Sequence, residues 1–320
     1  MDSMFLHRVT SLPGVDTALT PRRLWAAWTW EPLVLLSLAL AAGLYCRGYN
    51  RLWQRAGTGR GVRAWQVEAY GAGIAVVFIA LVSPLDALSS DLFAAHMVQH
   101  LLLMLVAAPL IVAGRPQTAM LWALSQPGRQ RLGRWSRWPG LRGSWQILRR
   151  PPAAWLLATA ALWLWHLPVL YQAALRSENV HALEHACLLG TALLFWYVLA
   201  EQSGGRRRRY GATIAYVLSM ALQSSVLGVV LVFSRPWYPA YAATTAAWNL
   251  TPAEDQQIAG LIMWIPAGAI YLIAVLAVIV RWAAADEAAA GRCTPHATRP
   301  AAAAAVPAEG DNVAGLADAQ

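Results

Sequence analysis

Long apolar runs separated by short polar stretches dominate residues 28–280 of the chain. A run of about 18 or more residues with few charges is long enough to cross a hydrocarbon layer about 30 Å thick as an α-helix. Seven such runs predict seven spans, numbered here in chain order as 28–46, 65–83, 92–113, 153–172, 180–200, 211–233 and 257–280. The pattern therefore predicts an all-α fold, a polytopic transmembrane helical bundle of about seven spans.

The composition agrees with this pattern and excludes a soluble multi-domain protein. The chain is 58% hydrophobic and only 13% charged, whereas soluble domains carry about 25% charged residues. Its 17 Trp residues suit a protein with many positions at the level of the lipid headgroups, which the indole ring favours. The lipid bilayer is thus the first partner that the sequence predicts.

Arginine is distributed unevenly between the loops that join the predicted spans. Loops 47–64, 114–152 and 201–210 contain five, eight and four Arg, whereas the intervening loops contain at most one each. By the positive-inside rule the Arg-rich loops are cytoplasmic, which places the N-terminus outside and the C-terminus inside. The predicted organisation is an extracytoplasmic segment 1–27, a transmembrane domain 28–282 and a disordered Ala/Pro-rich cytoplasmic tail 283–320.

The positive charge and the cysteines exclude two other classes of protein. The formal net charge of +9 comes from Arg alone, and these residues lie mainly in loops, where they act as topology signals and predict no nucleic-acid partner. The three cysteines, Cys46, Cys187 and Cys293, are far apart and form no CxxC pair. A disulfide framework and a thiolate metal site of the usual spacing are therefore excluded.

Five of the seven histidines lie in or beside predicted spans. With the orientation derived above, spans 3, 4 and 5 place all of them in the outer half of the membrane: His96, His100, His166, His181 and His185. Ionisable groups within a membrane are costly and tend to be functional. Their shared depth predicts one site, although a single intramembrane histidine often serves only as an interhelical hydrogen-bond partner.

The spacing within span 3 adds a preference for a particular metal. His96 and His100 are four residues apart and so share one helix face, and Met104 extends that face by a further turn. Neutral imidazole is the commonest metal ligand, and thioether combined with imidazole suits Cu(I) better than harder ions. Met104 also has a purely structural interpretation, because methionine fills apolar gaps well.

Two carboxylates are candidates for the same site. Glu184 lies within the segment His181–His185 and is expected to be a metal ligand, a carboxylate that orients an imidazole, or a helix-surface residue. Asp255 lies at the outer end of span 7 and is a second candidate. Its neighbour Glu254 is expected instead to form a capping box with Thr251, followed by a proline at the first helical position.

Three further residues have structural interpretations. Asp91 is expected to cap the start of span 3, although the acidic outer loop that contains it also suits cations. Gly260 and Gly268 on span 7 are expected at positions of close helix packing.

Four short segments resemble one known family. They are His96–Met104, Trp165–Pro168, His181–His185, and Asp255–Gln257 followed by Gly260, Met263 and Trp264. They are similar to the CtaG family of membrane-embedded cytochrome c oxidase assembly factors. The similarity covers roughly residues 30–282, with the segments in the family's order and on the corresponding spans.

The resemblance implies a protein of the bacterial plasma membrane that is needed to assemble an active haem–copper oxidase and is not itself an enzyme. It implies support for a copper centre, with cytochrome c oxidase subunits and extracytoplasmic copper donors as partners. On this view three or four of the histidines bind copper, and Met104 or Met263 biases the site towards Cu(I). Gln99, Glu184 and Asp255 then orient the ligands or balance their charge.

Other functions fit the same residues. A His/Asp cluster can hold Zn²⁺ for a membrane hydrolase, and the spacing of His181, Glu184 and His185 matches the inverted zinc-protease signature. Two imidazoles from facing helices can ligate haem iron instead. In a fourth alternative the histidines only bridge helices and the protein is a scaffold.

Overall fold

The computed structural model describes Leu19 and residues 23–204 and 210–293, and these residues contain helices and loops but no strand. Among these residues six helices are long and apolar enough to cross a membrane, and a pair of helices bent at a short break makes a seventh candidate span if the two are counted as one. Numbered as in the sequence, they are span 1 Pro32–Ala56, span 2 Ala64–Val82, span 3 Phe93–Ala113, span 4 Pro151–Trp165 with Pro168–Arg176, span 5 Glu178–Gly204, span 6 Tyr210–Phe233 and span 7 Pro252–Cys293. The prediction of an all-α protein with about seven spans is confirmed.

Shorter helices lie in the connections between the spans. Pro84–Ser89 precedes span 3, and the long Arg-rich loop contains Pro116–Ala123, Gln126–Trp135 and Pro139–Leu148. The connection between spans 6 and 7 contains two 3₁₀ turns, Pro239–Ala243 and Thr245–Trp248. The first of these turns contains Tyr241, whose hydroxyl lies 2.7 Å from that of Tyr171 in span 4.

The structure describes only part of the two predicted terminal segments. The helix of span 7 continues past residue 282 to Cys293, where Ala-rich sequence favours helix, and the disordered tail stays a prediction. Residues 294–320 lie outside the described part of the chain. Of the predicted segment 1–27, the structure describes Leu19 and residues 23–27, with a 3₁₀ turn at Leu24–Ala26.

Span 4 is not the continuous helix that residues 153–172 predict. It consists of two helices, Pro151–Trp165 and Pro168–Arg176, which are bent by 71° at the break between them. Pro168 has no backbone N–H and disfavours the helical conformation at the residue before it, and Leu167 is accordingly extended at φ −65° and ψ 133°. The bend places His166, the last residue before this extended position, at a corner of the fold.

Span 3 is the most enclosed of the spans. Burial reaches 61% of its apolar stretch, compared with 11% for span 1. It packs against spans 2 and 5, and two residues after His100 a π-helical turn begins, Leu102–Ala107. Such turns interrupt the regular backbone bonding of a helix and are frequent at functional sites. Trp196 of span 5 donates its indole N–H to the Met104 carbonyl within this turn, at 2.9 Å.

Spans 6 and 7 approach each other through two glycines. A Cβ atom added to Gly260 would lie 2.7 Å from the carbonyl oxygen of Gly228, and the reciprocal distance is also 2.7 Å. The prediction of close packing at Gly260 is therefore confirmed. The same prediction for Gly268 is wrong, because an added Cβ there meets no atom within 4 Å. Small residues permit such contacts between membrane helices.

Candidate metal centre

Span 3 places two imidazoles side by side in the interior. His96 and His100 are 0% and 2% exposed, and their Nε2 atoms are 2.8 Å apart. Four residues on an α-helix rise about 6 Å and return to nearly the same face, so the two rings meet directly. At 2.8 Å one Nε2 donates and the other accepts, which means that the two rings adopt different tautomers.

Span 5 contributes the second pair of imidazoles from the opposite side. The His96 ring centroid lies 5.2 Å from that of His181 and 5.7 Å from that of His185. His100 lies 5.4 Å from His185. His185 is buried, whereas His181 is half-buried in the first turn of its helix. The structure thus brings the imidazoles of spans 3 and 5 into one group, with His181 at its accessible edge.

Glu184 lies between these rings. Its Oε1 atom is 3.5 Å from Nε2 of His100 and 3.7 Å from Nε2 of His96, and the side chain is fully buried. Neither carboxylate oxygen accepts a hydrogen bond within the described part of the chain. A buried carboxylate without partners is strongly unfavourable. The contact argues against the helix-surface interpretation of Glu184.

His166 completes the five imidazoles from the bend of span 4. Its ring centroid is 5.8 Å from that of His100. Its Nδ1 atom donates a hydrogen bond to the Leu162 carbonyl at 2.6 Å, and its Nε2 atom lies 3.3 Å from the sulfur of Met97. The ring is therefore held in one orientation by its own helix while Nε2 faces span 3.

Asp255 does not belong to either set of side chains whose potential ligand atoms converge. It is 1% exposed, and its carboxylate accepts hydrogen bonds from the backbone N–H groups of Phe93 at 2.7 Å and Ala94 at 3.0 Å. It therefore caps the N-terminus of span 3 from span 7, a position where negative charge is favourable. Asp255 positions the helix that carries His96 and His100 instead of touching their rings.

The prediction that Asp91 caps span 3 is wrong. The residue before the helix is Leu92, which offers no side-chain cap, and the Asp91 carboxylate accepts a hydrogen bond from the Leu19 N–H at 2.7 Å. Burial raises the pKa of Asp91, and this hydrogen bond opposes the shift.

The predicted capping box at span 7 is confirmed: Glu254 accepts from the Thr251 N–H at 2.8 Å, and the Thr251 hydroxyl accepts from the Glu254 N–H at 3.2 Å.

Gln99 points away from the imidazoles. Its side-chain amide donates to the Ala80 carbonyl and to the Asp86 carboxylate, both at 2.7 Å. It therefore joins span 3 to span 2 and to the helix Pro84–Ser89. The expectation that Gln99 orients the histidines directly does not match these contacts.

Three tyrosines cover the end of the group that adjoins the connection between spans 6 and 7, and sequence reasoning did not identify them. The Tyr171 and Tyr241 hydroxyls are 2.7 Å apart, and Tyr241 also donates to the Ser89 carbonyl at 3.0 Å. Tyr238 donates to the His166 carbonyl at 2.7 Å. The Tyr171 ring lies 5.0 Å from that of His96. These bonds attach the connection between spans 6 and 7 to the histidine-bearing helices.

Met104 lies beside the group and lines a cavity of about 30 Å³. The cavity is also lined by His100, His166 and three further methionines: Met97, Met220 and Met263. Sequence reasoning named Met263 but missed Met97 and Met220. Met97 precedes His100 by three residues and shares its helix face, so its spacing was a usable signal. Met220 lies on another helix, and its neighbours are not visible in one sequence.

The donor atoms of spans 3 and 5 converge closely enough to share an ion. In each of two sets, His96 with His100 and Glu184, and His96 with His181 and His185, the ligand atoms lie within 4.8 Å of one another. His100 Nδ1, His181 Nε2, His185 Nε2 and both Glu184 oxygens are buried without a hydrogen-bond partner in the described residues. Nitrogen and oxygen ligands of one first-row ion lie roughly 3 Å apart. The donor set therefore fits a metal ion.

Comparisons with known proteins identify relatives over most of the chain. Uncharacterized proteins of Mycobacterium leprae and Mycobacterium bovis are 25% and 24% identical to it, covering 86% and 87% of this chain and 42% of each relative. The chain thus spans about two fifths of the length of these curated relatives. No solved structure matches it significantly.

The family comparison covers part of span 1, all of spans 2 to 6, most of span 7 and the whole histidine group. The family model described as cytochrome c oxidase caa3 assembly factor matches residues 43–285. This range begins within span 1 and ends within the helix of span 7. The chain belongs to the cytochrome c oxidase caa3 assembly factor (Caa3_CtaG) family.

Proposed function

We propose that this membrane protein assists the assembly of a haem–copper cytochrome c oxidase by binding copper, its cargo, at the group formed by His96, His100, His181, Glu184 and His185. Family membership supports the assembly role. The observation that carries the copper site is the buried Glu184 carboxylate, whose oxygens have no hydrogen-bond donor among the described residues while two imidazole nitrogens face it at 3.5 and 3.7 Å. A bound cation supplies the missing counter-charge.

The residues in and around the cluster have different roles in binding such an ion. Imidazole nitrogens suit copper in either of its common oxidation states, and the Glu184 carboxylate lowers the net charge of the loaded centre. Asp255 fixes the start of span 3 and thereby the height of His96. The half-buried His181 gives the cluster contact with the loop end of span 5, where an arriving ion first meets a ligand.

The side of the membrane from which copper arrives follows from the Arg distribution. The cluster lies at the ends of spans 3, 4 and 5 that adjoin the Arg-poor loops 84–91 and 173–179. The positive-inside rule assigns these loops to the extracytoplasmic side of the bacterial plasma membrane. Exchange therefore occurs with extracytoplasmic copper donors, and oxidase subunits receive the ion within the membrane or at its outer face.

Metal content and the absorption spectrum of the detergent-purified full chain test the copper site. Wild type, His100→Ala and Glu184→Gln are compared after anaerobic Cu(I) loading. Glu201→Gln is the matched control, because Glu201 lies on the same helix but pairs with Arg149 at its other end. We expect at least one copper ion per chain in wild type and the control, about one ion fewer in the two cluster variants, and no Soret band.

Other results would identify the competing functions. Copper-free wild type after loading would contradict the proposal. A Soret band would favour haem binding, and zinc with hydrolytic turnover that Glu184→Gln abolishes would favour a hydrolase. In cells lacking the native gene, wild type should restore oxidase activity whereas His100→Ala and Glu184→Gln should not. Full complementation by both variants would leave the cluster without a role in assembly.

A further inference from the structure

The Nε2 atom of His166 faces the sulfur of Met97, and neither atom carries a proton that it could donate to the other. The Leu162 carbonyl can only accept, so Nδ1 of His166 carries the proton and Nε2 of the neutral ring carries a lone pair. That lone pair lies 3.3 Å from the thioether sulfur of Met97, which is also only an acceptor. The side chains are 1% exposed. A cation bound by both atoms would stabilise this pair of buried electron-pair donors.

The distance between these two atoms suits one shared ion. A first-row metal ion binds an imidazole nitrogen at about 2.0 Å and a sulfur ligand at about 2.3 Å, which places the two atoms roughly 3.0–3.7 Å apart for bond angles from about 90° to about 120°. The observed 3.3 Å falls within that interval.

The cavity beside this pair is lined by thioethers. Of the five methionines in the described part of the chain, four line it: Met97, Met104, Met220 and Met263. None of the described residues that line it is Asp or Glu. Its volume of about 30 Å³ exceeds the space that one water molecule needs. Soft, uncharged ligands select Cu(I) over Cu(II) and over hard divalent ions.

His100 connects this cavity to the histidine–glutamate cluster. Its Nε2 atom lies 3.5 Å from the Glu184 carboxylate, and the same ring lines the methionine cavity 5.8 Å from the ring of His166. His100 also retains an unpartnered Nδ1 atom. One side chain is therefore within reach of both groups of ligands and can belong to each in turn.

We infer that the cavity lined by Met97, Met104, Met220 and Met263 is a second metal site, selective for Cu(I), that receives its ion from the histidine–glutamate cluster through His100. The inference rests on the proposed function in taking copper as the cargo. The transfer is a ligand exchange in which Cu(I) remains Cu(I) and no electron moves: bonds to Glu184 and His96 break as bonds to His166 and Met97 form. Because it is selective for Cu(I), the second site would admit only the reduced ion to the deeper part of the bundle.

X-ray absorption at the metal edge of the full chain in detergent, loaded anaerobically with Cu(I) or with Ag(I) as a redox-inert substitute, tests the second site. Wild type should show sulfur neighbours of the metal. In Met97→Leu/Met263→Leu this sulfur signal should fall by about half or more, because two of the four thioethers are replaced by a side chain of similar volume that cannot coordinate. Met120→Leu, which changes a methionine outside the cavity, is the control and should retain the signal.

A selenomethionine version of wild type gives a measurement that needs no variant. Selenium absorption should show a neighbouring Cu(I) or Ag(I) that disappears when the metal is removed. If the variants unfold at the same temperature as wild type, their loss of sulfur signal reflects the loss of metal ligands. If they unfold at a lower temperature, the selenium–metal contact in wild type tests the second site instead. A metal with only nitrogen and oxygen neighbours in wild type, together with no selenium–metal contact, overturns the second site while leaving the histidine–glutamate cluster in place.

The variant His96→Ala/Glu184→Gln separates the two sites. If the second site is separate, the sulfur signal after direct Ag(I) loading remains in this variant although copper binding at the cluster is lost. Sulfur-bound metal in a chain whose total copper is unaffected by His96→Ala/Glu184→Gln supports the methionine site and contradicts the proposed function. Absence of both Cu(I) and Ag(I) from wild type contradicts both.

Discussion

The carboxylate of Asp255, at the start of span 7, accepts a 2.7 Å hydrogen bond from the backbone N–H of Phe93, the first residue of span 3. A second bond from Ala94 completes the cap. The first N–H groups of a helix have no partner within the helix, and here the partner comes from a segment 162 residues away in the chain. The position of span 3, and with it that of His96 three residues further on, therefore depends on span 7.

Replacing Asp255 with alanine should therefore weaken both folding and metal binding. Loss of a helix cap costs about 0.5–2 kcal/mol, and the uncapped helix end frees His96 to shift from its partners. Thermal unfolding in detergent measures the first effect and Cu(I) affinity the second. Asp255→Asn retains an acceptor oxygen and should recover part of both.

Glu254→Gln is the matched control for this experiment, because Glu254 caps its own helix at an exposed position next to Asp255. It should leave Cu(I) affinity unchanged. Equal loss of affinity in Asp255→Ala and Asp255→Asn, with unchanged unfolding, would show that Asp255 touches the metal and is not a positioning residue.

The contact between Gly228 and Gly260 makes a second prediction. Alanine at position 260 would place a Cβ 2.7 Å from the Gly228 carbonyl, which is backbone and cannot rotate away. Spans 6 and 7 must then separate, at a cost of about 1–3 kcal/mol. Thermal unfolding should show the loss for Gly260→Ala and none for Gly268→Ala, where the added Cβ meets open space. A similar loss in both variants would mean that helix propensity or lipid contact, and not this close approach, determines the effect.

Apolar run length was sufficient to predict the spans because the bilayer imposes it directly. The limits of spans 2, 3 and 6 differ from prediction by at most one residue. Span 4 shows where that reasoning ends: its apolar run continues through Pro168, but the proline forces an extended residue before it and the helix bends by 71°. Hydropathy predicts which residues lie within the membrane, but it does not predict where a helix bends.

The candidate site was predictable to the same extent. The spacing of His96 with His100 and of His181 with His185 fixed which residues share a helix face, and a common depth suggested that they meet. The caps were not predictable in the same way, since Asp91 precedes span 3 in sequence whereas Asp255 reaches it only through the packing of span 7. Tertiary partners of this kind leave no trace in the spacing of one chain.

The hydroxyl of Tyr241 joins three segments, and its removal makes a third prediction. It contacts the Tyr171 hydroxyl at 2.7 Å and donates to the Ser89 carbonyl at 3.0 Å. Tyr241→Phe leaves the ring in place and removes both bonds, which should lower stability by about 1–3 kcal/mol because buried polar groups lose their partner. Since this network attaches the connection above the histidines, copper should also dissociate faster.

Thermal unfolding and a chelator-driven release of Cu(I) measure these two effects. Tyr197→Phe is the control, because its hydroxyl donates to Glu201 in a half-buried position away from the cluster. Unchanged release from Tyr241→Phe, despite lower stability, would show that the tyrosine network supports the fold without controlling access to the metal.

Glu184→Gln should change stability in opposite directions with and without metal. Without metal, the substitution removes a buried carboxylate whose two oxygens have no hydrogen-bond partner among the described residues and replaces it with a neutral amide of the same shape. Burying an unpaired charge is costly, so the metal-free variant should unfold at a temperature equal to or above that of wild type.

With Cu(I) present the order should reverse. A ligand at 100 times its dissociation constant stabilises the folded state by about 2.7 kcal/mol, and wild type should gain at least this increment from Cu(I). Glu184→Gln should gain less, because the cluster no longer contributes to binding. Thermal unfolding of both proteins, each with and without anaerobic Cu(I), measures all four states, and Glu201→Gln should behave as wild type throughout. A metal-free variant clearly less stable than wild type would show that Glu184 is already partnered within the protein, and the argument for a cation beside His96 and His100 would lose its principal support.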